Sequence, residues 1–271
     1  MSAAPLFPIQ ESFAPVIRNE PVNPEYLHMM VDASESMLAA DAGQFFHLRC
    51  PSGEGDSPLL RRPMSIYRID KAQRRIEFLY KVTGAGTRGL ARLKPGDTLN
   101  MFGPLGRGFS LSADVRHVLM VARGVGMATM APLAEAAIAQ GARVTAILSA
   151  RSADLVMSED YLQSVGASTI GVCDSNGASA VREVEALIRT IHASAPIDLL
   201  ATCGSNRLLQ LLKRLSAEFD VPGQIALEQL MGCAVGMCFC CVRPFRIADK
   251  VTYRRVCCEG PVFDVQQTIT W

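Results

Sequence analysis

No excess of one charge marks this chain of 271 residues: 27 Lys and Arg stand against 26 Asp and Glu, a formal net charge of +1. That balance gives no basic footprint of the kind nucleic acid or an anionic membrane surface requires. A long, clean apolar run is also missing. The most apolar region, from Val118 to Ala150, is broken by Arg123, Glu135 and Arg143, so no segment is expected to cross a bilayer. The opening MSAAPLFPIQESFAP has no basic patch followed by an apolar stretch, so no secretory signal is expected and the cytoplasm is the default location. His28, His47, His117 and His192 lack any triad-like context, and no catalytic acid, base or nucleophile is nominated. Internal repeats and low-complexity tracts are absent.

Cysteine, by contrast, is abundant and clustered. Four of the nine fall within CAVGMCFCC, residues 233 to 241. In a reducing compartment such a cluster points to metal rather than to disulfides. The chain is long enough for more than one domain, and its character changes along its length. Up to about residue 112, the segments EYLHMMVDA, QFFHLRC, MSIYRID and RIEFLYKV are short and rich in aromatic and β-branched residues. Pro and Gly separate them, which predicts an antiparallel β-barrel domain over 1–112. From RHVLMVA onward, apolar strands alternate with helical stretches such as GVGMATMAPLAEAAIAQG and SNRLLQLLKRLSAEF. This predicts an α/β parallel-sheet domain over 113–228. A small cysteine-bearing tail, 229–271, completes an α+β multidomain chain.

Cys233, Cys238 and Cys241, with one of Cys257 or Cys258, follow the spacing C-x4-C-x2-C with a distant fourth cysteine. Three thiolates from one tight loop and a fourth from afar suit a [2Fe–2S] cluster. Gly232 and Gly236 allow the unusual backbone angles of such a loop. Structural zinc and buried inert thiols are the competing readings. Neighbours cannot easily both face one small cluster, so one of Cys240 and Cys241, and one of Cys257 and Cys258, should point away.

Two further signals concern nucleotides. RRPMSIY offers Arg62 to a pyrophosphate and a strand through Ser65 whose edge could face an isoalloxazine ring. Then YKVTGAGTRGL supplies Gly84, Gly86 and Thr87 to cradle phosphate. In the second domain, Gly124 and Gly126 sit between an apolar strand and a helix start, where a pyrophosphate would meet the helix N-terminus. Cys203 and Gly204 end a later strand on the same carboxyl edge of the sheet, the edge that binds ligands in open α/β sheets.

In order and motif the chain resembles the electron-transfer subunits of NAD-linked heteromeric dihydroorotate dehydrogenases, within the ferredoxin–NADP reductase superfamily. The most specific match is EQLMGCAVGMCFCCV together with YRRVCCEGPVF. The resemblance makes Cys257, two before Glu259, the fourth cluster ligand. It implies that Arg62, Pro63, Met64 and Ser65, with Leu79, Tyr80 and Lys81, and Gly86 with Thr87, hold FAD. It also implies a relay from NAD(H) through FAD and the cluster to an FMN-containing catalytic subunit of a hetero-oligomer. The sequence departs from the family at Arg123, which replaces a glycine of the nucleotide loop, at Ala234, and around Cys173 and Asp174. Arg123 could grip a nucleotide phosphate or fill the space the nicotinamide needs. The second option would leave a redox wiring module that never binds NAD(H). A zinc-stabilised α/β binding protein is the third reading, and Arg151 carries no preference between NADH and NADPH.

Overall fold

The computed structural model describes residues 9–53 and 55–271; the reading of residues 1–8 as free of a secretory signal, and Glu54 in the CPSGEGDSP gap, lie outside the described residues. The turn-punctuated first part forms β1 (Gln10–Pro21), β2 (Tyr26–Asp32), α1 (Glu35–Leu38), β3 (Phe45–Leu48), β4 (Arg62–Ser65), β5 (Arg68–Asp70), β6 (Arg75–Lys81), α2 (Ala85–Ala91) and β7 (Thr98–Leu105). The strands pair antiparallel in the order β4-β3-β7-β1-β2-β6-β5. Its edge strands, β4 and β5, are joined only by Ile66 and Tyr67, so the sheet must curl until its edges meet. Inside the curl lie Met29, Phe46, Phe78, Tyr80 and Met101, the first core.

The alternating second part gives β8 (His117–Arg123), α3 (Gly126–Ala139), β9 (Arg143–Ala150), α4 (Glu159–Ser164), β10 (Ser168–Cys173), α5 (Val181–Ser194), β11 (Leu199–Cys203), α6 (Asn206–Phe219) and β12 (Gly223–Ala226). The strands run parallel in the order β10-β9-β8-β11-β12. Strand β8 is apolar on both faces because both are covered. Met120 and Ala122 face α3, while Leu119 and Val121 face Leu208, Leu212 and Ile188 of α5 and α6. The alanines of α3 let Tyr26, Tyr67 and Leu79 of the first sheet pack into the same core, which joins the two parts.

After β12 come the cysteine loop, a hairpin of β13 (Val242–Ile247) and β14 (Lys250–Arg255), and the short α7 (Val256–Glu259). The last strand, β15 (Val262–Asp264), returns to pair antiparallel with β12. The core beneath the loop is shared three ways: Phe45 and Leu105 come from the first sheet, Leu209, Ile225 and Leu227 from the second part, and Ala234, Cys241 and Cys257 from the loop region. Among the described residues no helix is long and apolar enough to cross a membrane.

Candidate functional site

The cysteine loop turns through left-handed backbone at Ala234, Gly236 and Phe239, with φ of 58°, 80° and 56°. These turns aim backbone amides at sulfur. Met237 and Cys238 donate N–H to Cys233 Sγ at 3.3 and 3.4 Å, and Cys257 donates to Cys241 Sγ at 3.4 Å. Burial alone would raise the Cys233 thiol, but the amides of Cys238, Val235 and Met237 outweigh it and bring the thiol down to about 7. Deep burial, with Cys241 alongside, holds Cys257 in the opposite direction, well above the ordinary thiol value. Two sulfur pairs result, Cys233 with Cys238 and Cys241 with Cys257. Among the described residues no group of three His, Cys, Asp or Glu side chains is arranged to hold a single metal ion. Four thiols in two pairs, met by backbone amides, fit a dinuclear cluster that takes two thiolates per iron.

The neighbours diverge as their spacing suggests: Cys240 is exposed while Cys241 is buried, and Cys258 is more open than Cys257. Tight packing accounts for both loop glycines. A Cβ at Gly232 would lie 3.2 Å from Cys238 Sγ, and one at Gly236 would lie 2.9 Å from Cys258 Sγ.

Arg62, Pro63, Met64 and Ser65 make up β4, an edge strand that among the described residues pairs only with β3. Arg62 Nη1 donates to the Leu60 carbonyl at 2.6 Å, and Gly86 lies under this side chain, since a Cβ there would approach Arg62 Nε to 2.8 Å. Thr87 Oγ1 accepts from the amides of Thr83 and Gly84 at 2.9 and 3.1 Å, closing the turn that opens α2. Leu79 and Lys81 face the second domain, with Lys81 Nζ donating to Glu25 at 2.6 Å. Tyr80 does not share that face; its hydroxyl points into the curled sheet and donates to Asn19 Oδ1 at 2.8 Å.

At the second sheet's carboxyl edge, Gly124, Gly126, Cys203 and Gly204 come together. A Cβ at Gly126 would meet the Cys203 carbonyl at 2.8 Å, so only glycine lets α3 start against the end of β11. Gly204 turns with φ of 82°. The Cys203 thiol is fully enclosed, which pushes its pKa up and makes it an inert part of the wall.

Two further residues lie near these candidate sites: Glu228, which the sequence reading did not single out, and His47, to which it gave no role. Glu228, two residues past β12, places its carboxylate beside Gly204; it is open to solvent but flanked by protein on most sides, which raises its pKa. An acid directly after a sheet's last parallel strand is the signal that could have flagged it. His47, on β3, lies beneath β4 opposite Pro63 and near the Met231 backbone of the cysteine loop.

Residues 228–269 match the iron–sulfur cluster binding domain of dihydroorotate dehydrogenase B. Over 92% of its length the chain is 33% identical to the dihydroorotate dehydrogenase B (NAD(+)) electron transfer subunit of Desulforamulus reducens, covering 94% of that protein. The chain belongs to this electron transfer subunit family. A second member, from Geobacillus sp. (strain WCH70), is 34% identical over 94% of this chain and 96% of its own. Among solved structures, a chain of an NADH-dependent reduced ferredoxin–NADP oxidoreductase superposes with a TM-score of 0.79 at 22% identity, covering 94% of this chain and 89% of its own. Ferredoxin–NADP+ reductase from Plasmodium falciparum gives 0.63 at 12% identity, covering 80% of this chain and 96% of its own. At these identities the likeness is one of fold: the curled antiparallel sheet, the parallel-sheet domain and, in this family, the iron–sulfur tail.

Proposed function

We propose that this chain relays electrons between NAD(H) and the catalytic subunit of a dihydroorotate dehydrogenase B in the cytoplasm, through FAD and a [2Fe–2S] cluster. One observation supports the reading: β3, the partner of the strand that begins at Arg62, β12, the neighbour of β11 at the nucleotide edge, and the cysteine loop all contribute side chains to one core. The flavin supplies the step from paired to single electrons, which this chain's own side chains cannot.

Arg62 neutralises the FAD pyrophosphate, with Gly86 giving it room and the first turn of α2 offering unpaired amides from Ala85 to Thr87. The free edge from Pro63 to Ser65 would hold the flavin ring, with Leu79 and the backbone of Tyr80 beside it, and Lys81 would keep the Glu25 carboxylate paired. Cys233, Cys238, Cys241 and Cys257 hold the cluster. Gly124, Gly126, Cys203 and Gly204 receive the nicotinamide nucleotide. The functional divisions are 1–112, 113–228 and 229–271. Leu230, Met237 and Phe239, which are 80%, 78% and 63% exposed around the cysteines, form an apolar face for an FMN-bearing subunit.

The wiring-module reading rested on Arg123 filling the nicotinamide's space. Its guanidinium instead reaches Ser149 and Asp174, on the side of β8 away from Gly204. An anaerobic visible titration with NADH tests the proposal: flavin and cluster bands should bleach at low reductant. Bands that persist until dithionite is added would exclude NADH as donor.

A further inference from the structure

Arg123 ends β8, and its side chain crosses the tip of β9 to the turn after β10. Nη1 donates to Ser149 Oγ at 3.2 Å and to Asp174 Oδ1 at 3.0 Å, while Nη2 donates to Asp174 Oδ2 at 2.5 Å. The Ser179 hydroxyl donates to the same carboxylate, and the exposed Arg207 near the start of α6 contributes further positive potential. Hydrogen bonding from Arg123, then from Ser179, holds the Asp174 carboxyl down at about 2, so it stays charged at any working pH.

The location matters as much as the pairing. Three strand tips, β8 to β10, bind the first mononucleotide half in sheets of this order. Beside them α3 begins, with Val125 and Gly126 amides that, among the described residues, no backbone carbonyl accepts. A guanidinium grips a phosphate with the same two parallel N–H bonds it gives a carboxylate. Asp174 therefore occupies, on Arg123, the place a nucleotide phosphate would take.

We propose that Arg123 is a phosphate-binding residue of the nicotinamide nucleotide site and that Asp174 is its built-in competitor. This inference rests on the nicotinamide reading above. The nucleotide binds by taking the guanidinium from the carboxylate, so the exchange sets affinity without touching the hydride-transferring end.

The experiment is calorimetric titration of the intact, cofactor-loaded protein with ADP-ribose, which carries both phosphates and no nicotinamide, and with NADH. Arg123→Ala should weaken ADP-ribose binding about tenfold or more, the worth of charge-assisted hydrogen bonds, with the visible spectrum unchanged. Arg123→Lys should recover only part of that loss, because an ammonium cannot grip bidentately. Asp174→Asn should tighten binding about two- to fivefold, the worth of an exposed ion pair. Tighter binding on loss of a carboxylate is a result that a merely structural pair would not give. Weaker binding in Asp174→Asn, or unchanged binding in Arg123→Ala, overturns the proposal and leaves the nicotinamide reading standing. A wild-type protein that binds neither ligand overturns both.

Discussion

A methyl group at Gly124 would lie 2.9 Å from the phenol oxygen of Tyr26, a contact that joins the curled sheet to the turn where α3 begins. Gly124 also has φ of 53°. Gly124→Ala should therefore cost about 1–2 kcal/mol in backbone strain alone. The unfolding midpoint should fall by about 2–8 °C. Adding Tyr26→Phe should return part of the loss by removing the clashing oxygen. An unchanged midpoint in the single variant would show that the junction is looser than the contact implies.

Cysteine substitutions separate ligands from bystanders. Cys257→Ser should lose the cluster, while Cys258→Ser and Cys240→Ser should keep it, read by iron content and the electron paramagnetic resonance signal of the reduced protein. The reverse pattern at 257 and 258 would transfer the fourth ligand to Cys258.

Gly86 gives the proposed flavin site a test that leaves every charge in place. Gly86→Ala pushes a methyl against Arg62, whose Nε would be 2.8 Å away. FAD should then release more readily, and Arg62→Ala should weaken FAD by about 10- to 100-fold, the value of hydrogen bonds to a charged group. Flavin fluorescence on dilution reads both. Equal retention in all three proteins would remove Arg62 from the site.

His47 predicts sensitivity to mild acid. Burial, reinforced by the positive charge of Arg61, lowers its pKa from 6.5 to about 4. Between those values the unfolded chain binds more protons than the folded one, so stability is full above pH 6.5 and falls as pH drops toward 4. The loss approaches about 2–3 kcal/mol. Urea unfolding at pH 7 and pH 5 should show it, and His47→Gln should flatten it. An equal slope in the variant would assign the effect to other groups.

Much of this was legible in the sequence because local signals agreed with the global fold. Strand and helix alternation placed β8 through α6, and the expectation that Cys240 and Cys241 point apart agrees with one thiol being exposed and the other buried. Strand β1 was not legible: Pro15 interrupts it, and the outward Phe13 and Ile17 are as apolar as the buried Ala14 and Val16, so the alternation of burial does not show in the residue types. The inward turn of Tyr80 follows from strand pleating, which a motif read as a block of three residues conceals. Arg123 could not be resolved either, because its direction is set by Asp174, 51 positions away. Ala234 explains its own oddity: its φ of 58° is backbone that glycine adopts without strain.

The three-way core under the cysteines bears on how the protein can move. Phe45 and Leu105 press on it from one side and Ile225 and Leu227 from the other. Swinging the two large domains apart would have to split that core and expose its apolar surface to water. The same packing braces the spacing between the cysteine loop and β3, the strand that carries β4.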